Sequence, residues 1–592
     1  MKTVKQQEKY HLDCIKALKK TQPWSLGSEL EKLAVERGDH PAVIFYDRVI
    51  SYAEFNRQAN RYAALFSGQG LKKGDVVALM MAGRPEYLFA VAGLSKLGII
   101  TALLTPEVRG EVLAASINMA EARAVILGHE YLDLFQGISE RIRMRKPARK
   151  LVECESQCPE LPAGFENLGD ELAQVGEENP GTTAEVNSDD PLVYLYSAGS
   201  SGNRKAIPVL HKRFLAVGHK AGAFCHMNYD SIQYMSLPLH FNSGFNICFG
   251  GMIATGSTMV LRKRFSVHEF WDVIHRYKVN YFVAVGEMCR YIFNQVARKD
   301  DRDNTLETVI CNGIWGGMID PFKQRFGLKH VIEIYGSTEG VGSFINYQEI
   351  KDMCGNLTLG GIRQGEVVRC NFDTGELLKD DNGYLIKCTP GHTGVLICEI
   401  NELNVFTGYL NDAEATEAKI IRNAFKQGDQ YYITNDLMEL HEGDNVSFVD
   451  RLGDSYRWKG KTVSAHQVAD VLLKFFGPID DVTVYGVKVP GMEGRAGMAA
   501  MTYIEGEKMD WKRFIQYVND RMPEHARPLF LRIVQDSEGV NLLDELKNKY
   551  KKEGISPLTV KDPMFFLDPV KESYVPFTME TYNAILENKI RF

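Results

Sequence analysis

Tyr194-Leu-Tyr-Ser-Ala-Gly-Ser-Ser-Gly-Asn-Arg-Lys205 joins an apolar run at 192–196 to a loop of small and hydroxylated residues that ends on a cation. The run reads as a buried strand. In the loop, Gly199 and Gly202 let backbone N–H groups approach a polyanion. Ser197, Ser200 and Ser201 add hydroxyl donors, and Lys205 adds positive charge. This composition suits a phosphate cradle, although the spacing is not that of a Walker A loop. An ordinary Gly/Ser turn is the alternative reading of the same residues.

Working outward, helical and strand patterns alternate. Residues 52–68 read as an amphipathic helix, 75–81 as an apolar strand and 85–97 as a helix, with Gly98 as its stop signal. Further strand-like runs fall at 122–127, 258–261, 281–285 and 331–334. Such alternation predicts parallel sheets with crossover helices, an α/β fold. The acidic stretch 159–190 reads as a surface excursion. Near Asp450 to Asp454 the pattern becomes a compact α+β alternation, with helices at 465–475 and 511–522 and a strand at 481–487. The expectation is a large N-terminal domain of stacked α/β subdomains, 1–451. A small mobile C-terminal α+β domain, 452–592, follows it, with its tail from Lys561 wrapped around it.

Composition narrows the function classes. The 592 residues carry 69 Lys+Arg and 76 Asp+Glu, a formal charge of −7; 45% are apolar and 24% charged. These values are close to the average for globular chains and exclude disordered, collagenous and coiled-coil classes. Mild acidity argues against nucleic-acid binding as the main task, while leaving room for a local basic site for a nucleotide or coenzyme A. The eleven cysteines are scattered; Cys154 and Cys158, the closest pair, have no His or Cys cluster nearby. Reduced thiols in a cytoplasmic protein are expected rather than zinc. No secretory signal is visible. The most apolar stretch, 87–104, carries Lys96 and suits a buried helix and strand rather than a membrane span. Peripheral membrane contact stays open.

Two further motifs carry chemistry. Tyr335-Gly-Ser-Thr-Glu-Gly340 follows the 331–334 strand: Tyr335 can stack on a purine, Thr338 can bond a phosphate, and Glu339 can hold Mg²⁺ through oxygen. Tyr432-Ile-Thr-Asn-Asp436 is followed by Asp450-Arg-Leu-Gly-Asp-Ser-Tyr-Arg-Trp-Lys-Gly460. There Asp436 can accept two ribose hydroxyls, Arg451 can add a charge-assisted bond, and Gly453 can serve as a hinge. A polar turn and a charged hairpin are the respective alternatives.

The order and spacing of these motifs resemble the adenylate-forming superfamily of acyl-CoA synthetases, adenylation domains and luciferases. The closer resemblance is to the fatty acid transport protein and very-long-chain acyl-CoA synthetase family. It rests also on Val108-Arg-Gly-Glu111, Gly286-Glu-Met-Cys-Arg-Tyr291, Val484-Tyr-Gly-Val-Lys-Val-Pro490, Gly494-Arg-Ala-Gly-Met-Ala499, Ala526-Arg-Pro-Leu-Phe-Leu-Arg532 and Lys552-Glu-Gly554. The resemblance implies activation of a carboxylic acid by MgATP through an acyl-adenylate, then transfer to coenzyme A. It implies that Ser197, Gly199, Ser200, Ser201, Gly202 and Lys205 form the phosphate loop. Tyr335, Gly336 and Gly313 hold the adenine. Thr338 and Glu339 contact phosphate and Mg²⁺, and Asp436 and Arg451 contact the ribose. Arg457, Trp458 and Gly460 fall where the small domain presents its thioester-forming face. His240, Phe241, Gly244 and Trp315 are the expected acid-lining positions, and the site is expected between the two domains.

The chain departs from the family pattern at several points. An ungapped match puts Val540-Asn-Leu-Leu-Asp544 on the C-terminal Thr-Gly-Thr-Phe/Tyr-Lys motif, so the adenylation Lys position holds Asp544. Lys547 and Lys549 are near but out of register. Arg204 replaces a Pro, Phe241 takes the usual His position beside His240, and Asn435 replaces a Gly. Three readings follow: a long-chain acyl-CoA synthetase-like ligase, an adenylate-forming enzyme with changed chemistry, or a nucleotide or acyl-CoA binder without turnover.

Overall fold

The computed structural model describes residues 4–590 except 147, 156, 157, 198–203, 315, 316, 373, 460, 476, 505, 535–541 and 588; the side chains of 4, 462, 542–545 and 548 are also outside that set. The chain forms two compact units. The first comprises Met1–Gly365, Cys398–Arg422 and Gly428–Tyr432; the second comprises Glu366–Ile397, Asn423–Gln427 and Ile433–Phe592.

The first unit holds two large sheets of the α/β kind that the alternation predicts. In one, the strand order is Glu166–Asn167, Arg149–Glu153, Ala124–Gly128, Val76–Met80, Ile100–Leu103, Pro191–Ser197, Lys205–Leu210. Every neighbour is parallel except the last pair. The other runs Ser343–Ile345, His330–Gly336, Thr308–Asn312, Tyr281–Val285, Ile232–Met235, Thr258–Leu261, Pro41–Phe45, Arg48–Ser51, with antiparallel pairs only at its two ends. Parallel strands covered on both faces need continuous apolar sequence, and all of Val76–Met80 and Ala124–Gly128 is buried.

The helix Pro85–Lys96 is buried along nearly its whole length. Lys96 does not reach solvent; it is 0% exposed. Its ammonium donates to Asn56 Oδ1 and Asn60 Oδ1, each at 2.6 Å, and pairs with Glu31 at 3.0 Å. A buried cation is tolerated when it is paired and hydrogen-bonded in this way. Burial lowers its pKa to about 8 against the opposing pull of Glu31. The acidic excursion contributes to this cluster, because Asn179 Oδ1 also accepts from Lys96 at 3.2 Å. Part of the predicted surface segment is therefore interior: Thr183 and Ser188 are buried.

The second unit includes residues 393–397, 433–440 and 445–451 of one sheet. Its other sheet has the order Ile479–Val487, Ala496–Tyr503, Phe530–Ile533, Met564–Asp568, Ser573–Pro576. The helices Ala465–Leu473, Trp511–Arg521 and Leu542–Glu553 accompany that sheet. The tail does more than wrap: Met564–Asp568 and Ser573–Pro576 extend the sheet as a hairpin. Asp562-Pro563 precedes this hairpin instead of marking irregular chain, because Pro563 needs only to offer its carbonyl, to Ile533 N at 2.9 Å.

The cysteine expectation is corrected at one pair. Cys154 and Cys158 are joined in a disulfide; the other nine are buried and form no disulfide. A separation of four residues let the pair meet at the end of Arg149–Glu153. Among the described residues no helix is long and apolar enough to cross a membrane.

Candidate active site

The expected phosphate-loop sequence is flanked by two strands that pair with each other. Pro191–Ser197 pairs antiparallel with Lys205–Leu210, and Ser197 lies directly opposite Lys205. Gly199, Ser200, Ser201 and Gly202 fall outside the described residues. The strand pairing nevertheless fixes both ends of the loop. Arg204, where the family has Pro, donates to Thr105 Oγ1 at 3.1 Å.

Residues 407–410 run along the second strand of this hairpin. Thr407 Oγ1 donates to Pro208 O at 2.7 Å, and Leu410 N donates to Ala206 O at 2.8 Å. That pairing sets Tyr409 beside Lys205, whose Nζ lies 4.4 Å from the ring centroid, a cation–π distance. The Tyr409 hydroxyl donates to Glu339 Oε1 at 2.9 Å. Burial, then the Glu339 charge, pushes the Tyr409 phenol well above its usual range, so it stays a donor.

Thr338-Glu339-Gly340 is held from its other side by Arg213, on helix His211–Phe224. Arg213 Nη2 donates to Thr338 O at 2.7 Å and to Asn242 Oδ1 at 3.0 Å, while Nη1 donates to Glu339 O at 3.0 Å. Burial lowers the Arg213 pKa to about 10, with Glu339 opposing. Gly340 has φ +70°, and a Cβ there would lie 2.0 Å from the Arg213 Cζ. The glycine is required by both backbone conformation and close approach.

The positions expected to hold an adenine come from adjacent parallel strands. Val285 pairs with Asn312, and Asn312 with Ile334, so the parallel ladder ends level across the three strands, while His330–Gly336 continues two residues further against Ser343–Ile345. Gly286, Gly313 and Tyr335 are the next residues along. Ligand sites of open α/β sheets lie beyond such carboxyl ends. Gly313 has φ +76°. Its carbonyl comes 2.1 Å from where a Cβ on Gly286 would stand, so the two turns pack backbone to backbone. Tyr335 lies opposite Phe344, ring centroids 5.8 Å apart and 24° from parallel, and Gly336 lies opposite Ser343.

On the acid-lining side, His240 is 6% exposed and its Nε2 lies 3.2 Å from Glu107 Oε2. Burial would raise the Glu107 carboxyl, but the His240 hydrogen bond and charge hold it below its usual range. Phe241, expected to line the acid site, is 37% exposed. Gly244 is buried, with space for a Cβ blocked by Pro238 O at 2.4 Å. It opens the wide-turn helix Ser243–Phe249, a geometry frequent at functional sites. Trp315 lies outside the described residues.

In the second unit, Asp436 and Arg451 face each other across Gln430–Leu440 and Asn445–Arg451, with Nε and Oδ1 3.7 Å apart. Asn435, in place of Gly, has φ +66°, a left-handed conformation that Asn tolerates. Asp450 is buried and accepts from Arg451 N, Ser455 Oγ and Ala465 N, each at 2.8 Å. It thus ties the strand end to the start of Ala465–Leu473. Gly453 has φ +88° with nothing near its Cβ position. Arg457 has an exposed side chain, while its carbonyl is held by Arg495 N at 2.7 Å. Gly460 is not described.

Asp544 falls at the start of Leu542–Glu553, its side chain outside the described set. Of the nearby cations, Lys547 and Lys551 lie 2.9 and 2.7 Å from Asp454, and Lys549 lies 3.8 Å from Glu553. The turn at Asp454 is therefore tied to helix Leu542–Glu553.

Among the described residues no three His, Cys, Asp or Glu side chains cluster as a metal cage. Glu339 offers one carboxylate, one of whose oxygens is taken by Tyr409. This fits Mg²⁺, which keeps waters and binds through one or two carboxylates plus substrate phosphates.

Sequence reasoning missed Arg213, Asn242 and Tyr409. Each is a single polar residue in an otherwise ordinary stretch, and only tertiary pairing brings Arg213 and Tyr409 to Glu339 and Asn242 to Arg213.

The family model for AMP-binding enzymes matches residues 30–410. Long-chain fatty acid transport protein 2 of Rattus norvegicus is 32% identical, over 93% of this chain and 89% of that protein. The medium/long-chain-fatty-acid–CoA ligase FadD6 of Mycobacterium tuberculosis is 32% identical, over 94% and 90% respectively. The anthranilate CoA ligase AuaEII in complex with anthranoyl-AMP shares the fold, with a TM-score of 0.72 at 18% identity, over 87% of this chain and 94% of that one. ATP-bound MatB from Rhodopseudomonas palustris gives 0.70 at 18%, over 89% and 99%. On the extent of that family match and the identity to those relatives, the chain belongs to the AMP-binding enzyme family.

Proposed function

We propose that the chain is an ATP-dependent acid–CoA ligase acting on long-chain fatty acids. The observation that carries this is the contact chain Lys205–Tyr409–Glu339, which joins the phosphate-loop cation to the carboxylate suited to nucleotide-bound Mg²⁺. The substrate class rests on the relatives named for long-chain fatty acids.

A carboxylate is a poor electrophile, and adenylation corrects this. The acid oxygen attacks the α-phosphorus of ATP, the bond to the β-phosphate oxygen breaks, and pyrophosphate leaves. The coenzyme A thiolate then attacks the acyl carbon and AMP leaves. Bound Mg²⁺ would neutralise phosphate charge. Lys205 and the loop hydroxyls and N–H groups stabilise charge at the phosphates, Tyr335 stacks on the adenine, and Asp436 fixes the ribose. We assign the functional division to 1–451 and 452–592, with Gly453 as the hinge that lets Arg457 and its neighbours serve the second half-reaction.

One observation supports a second reading, an enzyme impaired in adenylation. With Asp544 at the Lys position, the neighbouring Lys547 and Lys551 are paired to Asp454 rather than free to substitute. Pyrophosphate release from MgATP, measured across short, long, aromatic and amino acids with and without coenzyme A, separates the two. Release that needs a long-chain acid supports the ligase. ATP binding with silence across the panel supports the impaired enzyme.

A further inference from the structure

We propose that Tyr409 is a positioning residue that holds Glu339 in its metal-binding attitude and links it to the charge of Lys205, while Arg213 fixes the same turn from behind. The inference rests on the ligase reading for the identity of the ligand. Its geometry belongs to this chain. One ring makes both contacts: its face takes the Lys205 ammonium at 4.4 Å and its hydroxyl donates to Glu339 Oε1 at 2.9 Å. The ring is itself fixed, because Tyr409 N donates to Thr416 Oγ1 at 2.9 Å and the flanking residues pair with the hairpin strand.

With Oε1 committed to the hydroxyl, rotation of the carboxylate is restricted and Oε2 is the oxygen left for a cation. Arg213 contributes differently. It binds the two main-chain carbonyls of Thr338 and Glu339, so it sets where the side chain starts. A residue that only packed the core would need neither the hydroxyl nor the fork. The hydroxyl can be removed alone: Tyr409→Phe keeps the ring, its packing and the Lys205 contact.

The test is calorimetric titration of the full chain with ATP, once with Mg²⁺ and once with EDTA. Wild type, Tyr409→Phe, Glu339→Gln and the double variant are compared, with Arg213→Lys as an independent probe. Tyr409→Phe is expected to weaken MgATP binding at least fivefold and to change Mg²⁺-free binding less than twofold. Added to Glu339→Gln it should have little further effect, since a group acting through Glu339 has nothing left to position. Arg213→Lys should reproduce the Mg²⁺-selective loss. Equal losses with and without Mg²⁺, unchanged MgATP affinity, or additive losses in the double variant would each overturn the inference. A wild type that binds no MgATP would instead overturn the ligase reading, and the role of Tyr409 with it.

Discussion

Asp436 and Arg451 occupy directly opposed positions on neighbouring antiparallel strands, with Oδ1 and Nε 3.7 Å apart. The pair is lopsided: the Arg451 side chain is 71% exposed and the Asp436 side chain 15%. An ion pair with so exposed a partner adds at most about 1 kcal/mol. The carboxylate is held by the strand. Its own N–H donates to Thr434 Oγ1 at 3.0 Å, and Asn435 turns the chain just before it. The arrangement presents an anchored acceptor beside an exposed cation.

Separate measurement of stability and nucleotide affinity therefore distinguishes the pair's roles. Arg451→Ala should lower unfolding free energy by less than about 1 kcal/mol. Asp436→Ala should weaken ATP binding at least tenfold, about 1.4 kcal/mol. If ribose recognition is absent, 2′,3′-dideoxy-ATP will bind wild type and Asp436→Ala with the same ratio as ATP does, and the assignment fails.

Gly286→Ala should disturb the adenine turn without touching a polar group. The added methyl would meet Gly313 O at 2.1 Å, backbone against backbone, so neither partner can swing away. Overpacking of this kind costs about 1–3 kcal/mol, read as a lower denaturation midpoint. AMP affinity should fall in parallel. Retained AMP affinity with lowered stability would show that the turn carries no adenine contact.

Most of the α/β framework is legible from local pattern. The helix Tyr52–Gly68 and the strands Thr258–Leu261 and Tyr281–Val285 fall at their expected bounds. There period and punctuation agree with burial. Two things escape. The strands on either side of the expected phosphate loop pair so that Ser197 stands opposite Lys205, and composition alone does not distinguish that return from a chain leading elsewhere. Arg213 and Tyr409 reach Glu339 across 126 and 70 residues of chain, and no periodic signal reports a contact of that separation. Lys96 inverts the usual expectation for a charge in an apolar run, because its partners Asn56 and Asn60 lie on a different helix.

Acid should weaken the first unit through His211 and His219. Burial lowers both imidazole pKa values to about 3. His211 Nδ1 accepts from Leu26 N at 3.1 Å, and His219 Nδ1 lies 2.9 Å from His11 Nδ1. Below a pH of about 6.5 the unfolded chain takes up protons that the folded chain refuses. Stability therefore rises with pH between 3 and 6.5, and on acidification falls by about 1.4 kcal/mol per pH unit for each histidine. Urea unfolding at pH 7, 6 and 5 measures this slope. His211→Asn and His219→Gln should each flatten it, and an unchanged slope in both variants would sink the attribution.

Restoring the missing cation is the most direct test of the altered C-terminal motif. Asp544 brings a negative charge to the sequence position where the family places the lysine that meets the acyl carboxylate and phosphate. Lys547 and Lys551 are engaged by Asp454, which is itself held below the usual carboxylate range: burial would raise it, but the two ammonium groups outweigh that. Asp544→Lys exchanges repulsion for attraction at the transferring phosphoryl group, and removal of one such preorganised contact typically changes rate by about a hundredfold or more. The variant should accelerate acid-dependent pyrophosphate release at least tenfold and leave ATP affinity within about threefold, because the lysine acts on developing charge rather than on ground-state binding. Pulling Lys547 from its partner with Asp454→Asn should give a smaller gain in the same assay. A wild type that already releases pyrophosphate rapidly, with no gain in Asp544→Lys, would mean that another cation supplies the charge and that the ungapped match across 540–544 assigns the position wrongly.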